Sequence, residues 1–436
     1  MIWNAAVRIC AGLALCLLLA QIMLAQENQT ESQGQESETE EAAKAKANAL
    51  RQSEGPKSLA NQAFFNARNR LGFSLGTYEL YSNNLLNTEP GQHGAVTSLL
   101  PRFYLNFGKR KAHLHLDYGF GYRLYHNHRD LDAVQHAGSF LFDYAFSRTA
   151  SFRVHDQITV APNDSGLFAF PGEAPILPVS GFSSEVLLTR QRILTNTLLA
   201  ELNFQPWENG HLGLFSSYNI YRYDMNASAN ADPIQAGVIY DHRLTKWFSL
   251  SNTFSTYLNS VDSKFRMWKI HRLQAGGLNF HLDRNWHIFA SGGGELAELD
   301  ANNYFTASIN TGIAHTSPKN SLSVAYQRGF TQAVGISQLS LSHIVTARLV
   351  QRMTRRLDFQ MSGSYWRGSG VTKEGLLRSY SAGAGFEIII RPDLVASVNY
   401  TYQNQRAPSL AASDILGINR YVASCGLQYI FPSRRR

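Results

Sequence analysis

The sequence predicts an all-β fold: a transmembrane, antiparallel, up-and-down β-barrel of about 18 strands, with about 16 as the alternative. Short periplasmic turns and long extracellular loops go with that architecture. Three observations predict it. The 436 residues include 25 Phe and 20 Tyr, yet only 17% are charged and the mean hydropathy is −0.22. Beyond residue 25 no apolar run approaches the ~18 residues that a membrane helix needs. From about Leu71 onward, apolar and polar residues alternate in runs whose connections are short and long by turns. With 3 Cys, 33 Gly and 13 Pro, a disulfide scaffold and a collagen-like chain are excluded as well.

The N-terminus says where the chain goes. Met1–Arg8 is short and positive, Ile9–Ala20 is apolar, and Ala25 offers a small residue for cleavage, so residues 1–25 read as an export signal. A lipoprotein would need a small residue before Cys16, where Leu15 stands. Cys10 and Cys16 leave with the signal, and Cys425 remains without an internal disulfide partner. Residues 26–60 lack aromatics and carry too few apolar groups to bury a core, so they read as a polar flexible periplasmic tether. The signal carries +1 and the tether −3, so of the chain's net +8 the remaining 376 residues hold +10. Those residues, 61–436, are the expected barrel.

The strands follow. In His113–Tyr125, Leu114, Leu116, Tyr118, Phe120, Tyr122 and Leu124 share one face, with His113, His115, Asp117, Gly119, Gly121 and Arg123 on the other. The same split recurs at Phe140/Phe142/Tyr144/Phe146, at Phe152/Val154/Ile158/Val160, at Leu198/Ala200/Leu202/Phe204 and at Tyr380–Ile390. Around Gly276-Gly277 and Ser291–Gly294 the outer face is weak.

The connections are as informative as the strands. Short turns fall at Gly108–Lys111, Ser147–Ala150, Gln205–Gly210, Thr245-Lys246, Asp283–Trp286, Ser317–Asn320, Thr354–Arg356 and Arg391–Asp393. Longer polar segments lie between them, among them Asn259–Lys264, Leu296–Asn302, Gly329–Ser337 and Gly368–Gly375. Strict alternation of the two kinds requires about 18 strands, with both chain ends on the short-turn side. Trp207, Trp247 and Trp286 lie in or beside short turns, where an interfacial aromatic girdle belongs. The last run places Tyr421, Ala423, Cys425, Leu427, Tyr429 and Phe431 on one face.

Taken together, these features resemble bacterial outer-membrane β-barrel proteins of the porin type. The resemblance spans the mature chain through motifs generic to the class, and implies an outer-membrane location in a Gram-negative-type bacterium. It also implies recognition of the final strand, through Tyr429 and Phe431, by the barrel-assembly machinery. Pro432–Arg436 follow that strand, so the aromatic is not flush with the end of the sequence.

The function expected is a passive diffusion channel for small hydrophilic solutes, with a mild anion or sugar preference. About 16 to 18 strands leave an aqueous interior unless something fills it. Candidate pore-lining residues are His113, His115, Asp117, Arg123, Arg153, His155, Gln157, Arg348 and Glu387, with basic groups ahead. The alternative is that these groups merely pair with Asp117 and Glu387 in the wall. Residues 161–187 form the longest loop, and its Phe168, Phe170, Ile176 and Leu177 are candidates for a constriction. Basic residues in the turns (Lys109, Arg110, Lys111, Arg148, Lys246, Arg284, Lys319, Arg355, Arg356 and Arg391) are expected to meet outer-membrane lipid headgroups. On the two faces of one strand, Phe120→Arg should cost ~2–4 kcal/mol and Gly121→Arg should be tolerated better.

No catalytic, cofactor or metal site is expected. Gly72–Gly76 matches GxSxG, but inside a strand rather than at a strand-to-helix turn. Ser291–Gly294 lacks the Lys-Ser/Thr of a phosphate loop. Glu295, Glu298 and Asp300 read as a solvated acidic loop rather than a cation site, and the 14 His form no ligand-spaced cluster. No nucleic-acid role is expected either. Two other functional classes remain open: a conduit or accessory barrel for exopolysaccharide export, and a barrel-embedded hydrolase.

Overall fold

The structure is a computed structural model that describes residues 70–87, 91–162, 182–183, 192–224, 230–261, 266–283, 285–299, 302–333, 339–371, 376–406 and 417–431. The signal, the tether and the loop residues Phe168, Phe170, Ile176 and Leu177 lie outside these.

The first wall runs through β1 (Arg70–Ser82), β2 (Gly94–Gly108), β3 (Ala112–Tyr125), β4 (Ala133–Ala145) and β5 (Ala150–Pro162). After the two-residue β6 (Phe182–Ser183) come β7 (Arg192–Trp207), β8 (Gly210–Tyr223), β9 (Ile234–Arg243), β10 (Phe248–Val261) and β11 (Arg266–His281). β12 (Trp286–Leu299), β13 (Asn302–Thr316), β14 (Asn320–Ala333) and β15 (Leu339–Arg352) continue the ring. β16 (Leu357–Gly370), β17 (Leu376–Arg391), β18 (Leu394–Arg406) and β19 (Ile418–Phe431) complete it. All but β6 pair antiparallel with their chain neighbours, and β19 returns to β1 from Phe73↔Phe431 to Ser82↔Val422. The result is a closed barrel of 18 strands, as the alternation predicts. Closure gives each of the 18 strands a hydrogen-bonded neighbour on both sides, which a lipid environment demands.

Period two decides what faces where. On β3 exposure alternates without a break from Leu116, with Tyr118, Phe120, Tyr122 and Leu124 outside and His115, Asp117, Gly121 and Arg123 inside. The outer face carries the same chemistry around the ring, with Phe103, Leu198, Leu214, Phe254, Leu273, Met361, Phe386, Tyr400 and Leu427 all exposed. An exposed apolar belt of this extent is unstable in water and is the surface that a bilayer covers.

Two expectations about connections need correcting. Leu296–Asn302 is no loop: β12 and β13 stay in register from Trp286↔His315 to Leu299↔Asn302, leaving only residues 300 and 301 between them. Likewise β10 and β11 pair as far as Val261↔Arg266. Strands of 13 to 16 residues are common here. They exceed the ~9–11 that span a bilayer, so their polar upper ends are strands standing clear of the apolar belt. Sequence polarity alone does not distinguish such an end from a loop.

The weak outer face near Gly276-Gly277 and Ser291–Gly294 also finds its cause. The β11–β12 register shifts between Ala275 and Leu278, a bulge beside the glycines. A Cβ on Gly293 would lie 1.8 Å from the Leu273 carbonyl oxygen, so only glycine fits this close strand approach.

Candidate functional site

The inner wall is the surface on which a solute could act. His113, His115, Asp117 and Arg123 on β3, Arg153, His155 and Gln157 on β5, Arg348 on β15 and Glu387 on β17 all fall on inward-facing register rows. Their environments differ. The row His113↔Asp143↔Arg153↔Glu201 crosses four strands with alternating charge. Arg153 Nε donates to Asp143 at 2.6 Å, and Arg153 Nη1 lies 3.7 Å from Glu201. His113 Nε2 donates to Asn106 Oδ1 at 2.8 Å.

One turn of wall away, Arg102 Nε meets both oxygens of Asp117 at 2.7 and 2.8 Å, and His115 Nε2 lies 3.8 Å from the same carboxylate. Gln360 donates to Glu387 at 3.4 Å, and the buried Asp358 accepts from Arg352 at 3.4 Å. On β12 the fully buried Glu295 is ion-paired to Arg272. The inside is therefore a set of ion pairs rather than a basic surface. Arg102, Asp143, Glu201, Arg272, Glu295 and Asp358 were not on the sequence-derived list. The run Leu99-Leu100-Pro101-Arg102 hides the phase of β2, and Glu295 reads as loop acid when strand ends read as loops. The solvated acidic loop is thus corrected at Glu295, while Glu298 faces outward with Lys269 at 3.9 Å and His271 at 3.8 Å.

Burial along the inner wall is uneven. Toward the loop end it is buried right round the ring, from Leu80, Val96 and Tyr125 through Tyr223, Tyr257, Ile270 and Ala297 to Trp366, Leu377 and Ile418. At mid-wall on β15, β16 and β18 it opens, while Asn106, Val350, Asp358, Val395 and Ile430 nearer the turns are buried again. Thr346, Arg348, Ser362 and Asn399 are exposed on the inner rows of β15, β16 and β18. Against β8–β12 lies a cavity of about 650 Å³ lined by polar groups that include His211, Asp241, Arg243, Asn279, His281 and His287.

Three segments fold inward at the loop end. After β1 the chain turns in so that Leu85 packs with Leu80, Val96, Tyr125 and Val422, and Arg420 Nη1 donates to Asn87 Oδ1 at 3.1 Å. Asn87 takes a positive φ of 55°, which asparagine tolerates better than most residues. The upper end of β14 leaves β13 after Ile309↔Arg328. Freed from that partner, the Phe330 amide donates to Glu295 Oε2 at 2.5 Å, and Arg272 Nη2 donates to the Phe330 carbonyl at 3.3 Å. Phe330 packs on Tyr257, Ile270, Ala297 and Leu339. Finally β6, from the connection between β5 and β7, pairs in parallel with Gln332 and Ala333 of β14. β14 stands seven places from β7 in the ring order, so Phe182–Ser183 pair with a strand far round the ring from β5 and β7.

Ser74 of the GxSxG match is buried mid-strand and accepts a hydrogen bond from Gln428 at 3.3 Å. Among the described residues, no three His, Cys, Asp or Glu are grouped to hold a metal ion.

A closed 18-stranded antiparallel barrel, apolar and aromatic outside and polar inside, is the fold of an outer-membrane β-barrel of the porin type. The sequence matches no protein-family model and no curated protein. Among solved structures the chain is similar to Pseudomonas aeruginosa OprD, at 12% identity, 87% coverage of this chain, 100% of that one and a TM-score of 0.44. It is also similar to Pseudomonas aeruginosa OccK2 (OpdF) in complex with glucuronate, at 11% identity, coverages of 83% and 98% and a TM-score of 0.45. Acinetobacter baumannii OccAB3 follows at 9% identity, coverages of 83% and 99% and a TM-score of 0.44.

Proposed function

We propose that the protein is an outer-membrane channel for passive diffusion of small hydrophilic solutes, with its short turns in the periplasm and its mouth narrowed from the loop end. The observation that carries this reading is the exposed polar inner wall at Thr346, Arg348, Ser362 and Asn399 inside a closed barrel. Exposure within such a wall means water inside it. The lining acts as the pore surface, and the loop of residues 161–187 is its constriction through Phe168, Phe170, Ile176 and Leu177, with β6 paired to β14 as the observation that supports it. Trp207, Trp247 and Trp286 sit at the periplasmic membrane interface, and Tyr429 with Phe431 present the last strand to the assembly machinery.

Of the two solute preferences, the sugar-like one has the stronger support. An anion needs several uncompensated cations, whereas on the inner rows of β15–β18 the exposed mid-wall groups among the described residues are the single cation Arg348 beside the hydroxyls and amide of Thr346, Ser362 and Asn399. Planar-bilayer recording tests the reading. Wild type should conduct, and deletion of residues 168–178 or Glu295→Gln should each raise single-channel conductance. A silent wild type with silent variants overturns the channel. Conductance unchanged in both variants overturns the constriction.

A further inference from the structure

The outer surface carries a charge feature that solute passage does not use. Arg328↔His343, His343↔Arg367, Arg367↔Arg378 and Arg378↔Arg406 are direct register partners on β14 to β18. They lie on the lipid-facing phase, since the same strands place Val345, Tyr365, Tyr380 and Tyr400 outside and exposed. One unbroken row of basic side chains therefore crosses five adjacent strands. Arg367, Arg378 and Arg406 are exposed, and among the described residues none of the three has an acidic partner. Arg328 gives one Nη to Thr306 at 3.5 Å, and His343 shares a hydrogen bond with Tyr326 at 3.0 Å.

Elsewhere at this end several outward basic groups are neutralised, Arg192 being an exception. Lys269 and His271 meet Glu298, Arg222 meets Asp232 at 2.7 Å, and His126 meets Glu79 at 3.2 Å. Like charges directly opposite on neighbouring strands repel. Such a row is stable when anions sit between its members.

Height narrows the choice of anion. From Leu357, the first residue of β16, to Arg367 is ten residues, or ~26 Å along the barrel axis at ~3.4 Å rise and ~40° tilt. That is one apolar belt of ~25 Å above the turns, the level at which lipid headgroups begin. Tyr326, Tyr365, Tyr380 and Tyr402 lie just below the row, as interfacial aromatics do.

We infer that the β14–β18 face is a binding site for phosphorylated glycolipid headgroups of the outer leaflet, with Arg367, Arg378 and Arg406 as its principal phosphate ligands. Guanidinium forks suit phosphate oxygens in pairs, and neighbouring strands space them ~5 Å apart, so the row spans ~20 Å. The site rests on the orientation proposed above, with the loop end outward.

Native mass spectrometry of the full chain in detergent tests it, with diphosphorylated lipid A, its dephosphorylated form and inorganic phosphate as probes. Wild type should retain the diphosphorylated lipid on the order of tenfold more tightly than the other two. Arg367→Gln/Arg378→Gln/Arg406→Gln should abolish that preference, the triple Lys variant should keep most of it, and Arg355→Gln/Arg356→Gln in a turn should leave it intact. Equal retention of phosphorylated and dephosphorylated lipid by wild type overturns the site without needing any variant. Inorganic phosphate bound as tightly as the lipid overturns it too. Conductance is read separately in bilayers, so a conducting barrel without lipid preference sinks this site and spares the channel. Lipid preference in a silent barrel supports the site and sinks the channel.

Discussion

Asp156 interrupts the outer face of β5 at mid-height, between Phe140 and Leu198 in register. Its carboxyl accepts from Asn196 at 2.7 Å, so two polar groups lean on each other where lipid tails should be. A carboxyl at this depth costs less than Arg or Lys but is still unfavourable. Asp156→Leu should therefore raise the urea unfolding free energy in liposomes by roughly 1 kcal/mol. A loss of stability would mean that something other than lipid covers this spot. The comparison of Phe120→Arg with Gly121→Arg also changes at this scale. Phe120 is exposed outside, and a charge there should cost ~2–4 kcal/mol. A Cβ on Gly121, however, would lie 2.4 Å from Gln135 and 2.6 Å from Leu100, so Gly121→Arg overpacks the wall as well. Ser362, inward and exposed, is the tolerant partner: Ser362→Arg should fold normally, with equal losses at Phe120 and Ser362 undoing the assignment of faces. Facing was legible from period two alone. Packing was not, because it depends on which strands bulge, and no residue states its neighbour across the wall.

At the scale of single elements, the turns show how local chemistry holds the ring. Asp283 accepts from the Asn285 and Trp286 amides at 2.6 and 2.7 Å, closing the β11–β12 turn and setting Trp286 against His315 at 4.5 Å. Those two amide donors hold the Asp283 carboxyl below its ordinary value. A depressed carboxyl stabilises the fold above the unfolded value of ~3.9, and the contribution is lost as pH falls through the lower folded value. Asp283→Ala should thus lower the unfolding midpoint at pH 7, with the gap to wild type closing below about pH 4. A gap independent of pH would point to packing rather than the ionised acceptor. Turn positions were readable from the break in alternation, helped at Gly108, Gly210, Asp283, Pro318 and Pro392 by residues that favour turns. The loop-side ends were not, since Glu295, Glu298 and Asn302 read as loop residues yet lie in paired strand, and neither the inward bend of β14 nor the anchor of β6 leaves a local signal.

Across the whole molecule, the question is where the +10 of residues 61–436 resides. An anion-selective lumen would need it inside. Instead Arg102, Arg153, Arg272 and Arg352 are matched by Asp117, Asp143, Glu295 and Asp358 on the inner wall. The excess lies at the two rims. Lys109, Arg110, Lys111, Arg148, Lys246, Lys319, Arg355 and Arg356 are exposed around the turns, and Arg367, Arg378 and Arg406 stand outside at the loop end. A basic composition therefore speaks first of the membrane's two surfaces and only weakly of the solute. Among the described residues, Arg348 and, at the turn end, Arg243 are inward cations that are exposed and have no acidic ion-pair partner, and Arg348, set deeper in the wall, weighs more on what selectivity the pore has. In a salt gradient the wild-type reversal potential should lie close to zero on the anion side, and Arg348→Glu should carry it across to the cation side. Strong anion selectivity in wild type, or a reversal potential that ignores Arg348→Glu, would put the working charges in residues 163–191 instead of on the wall.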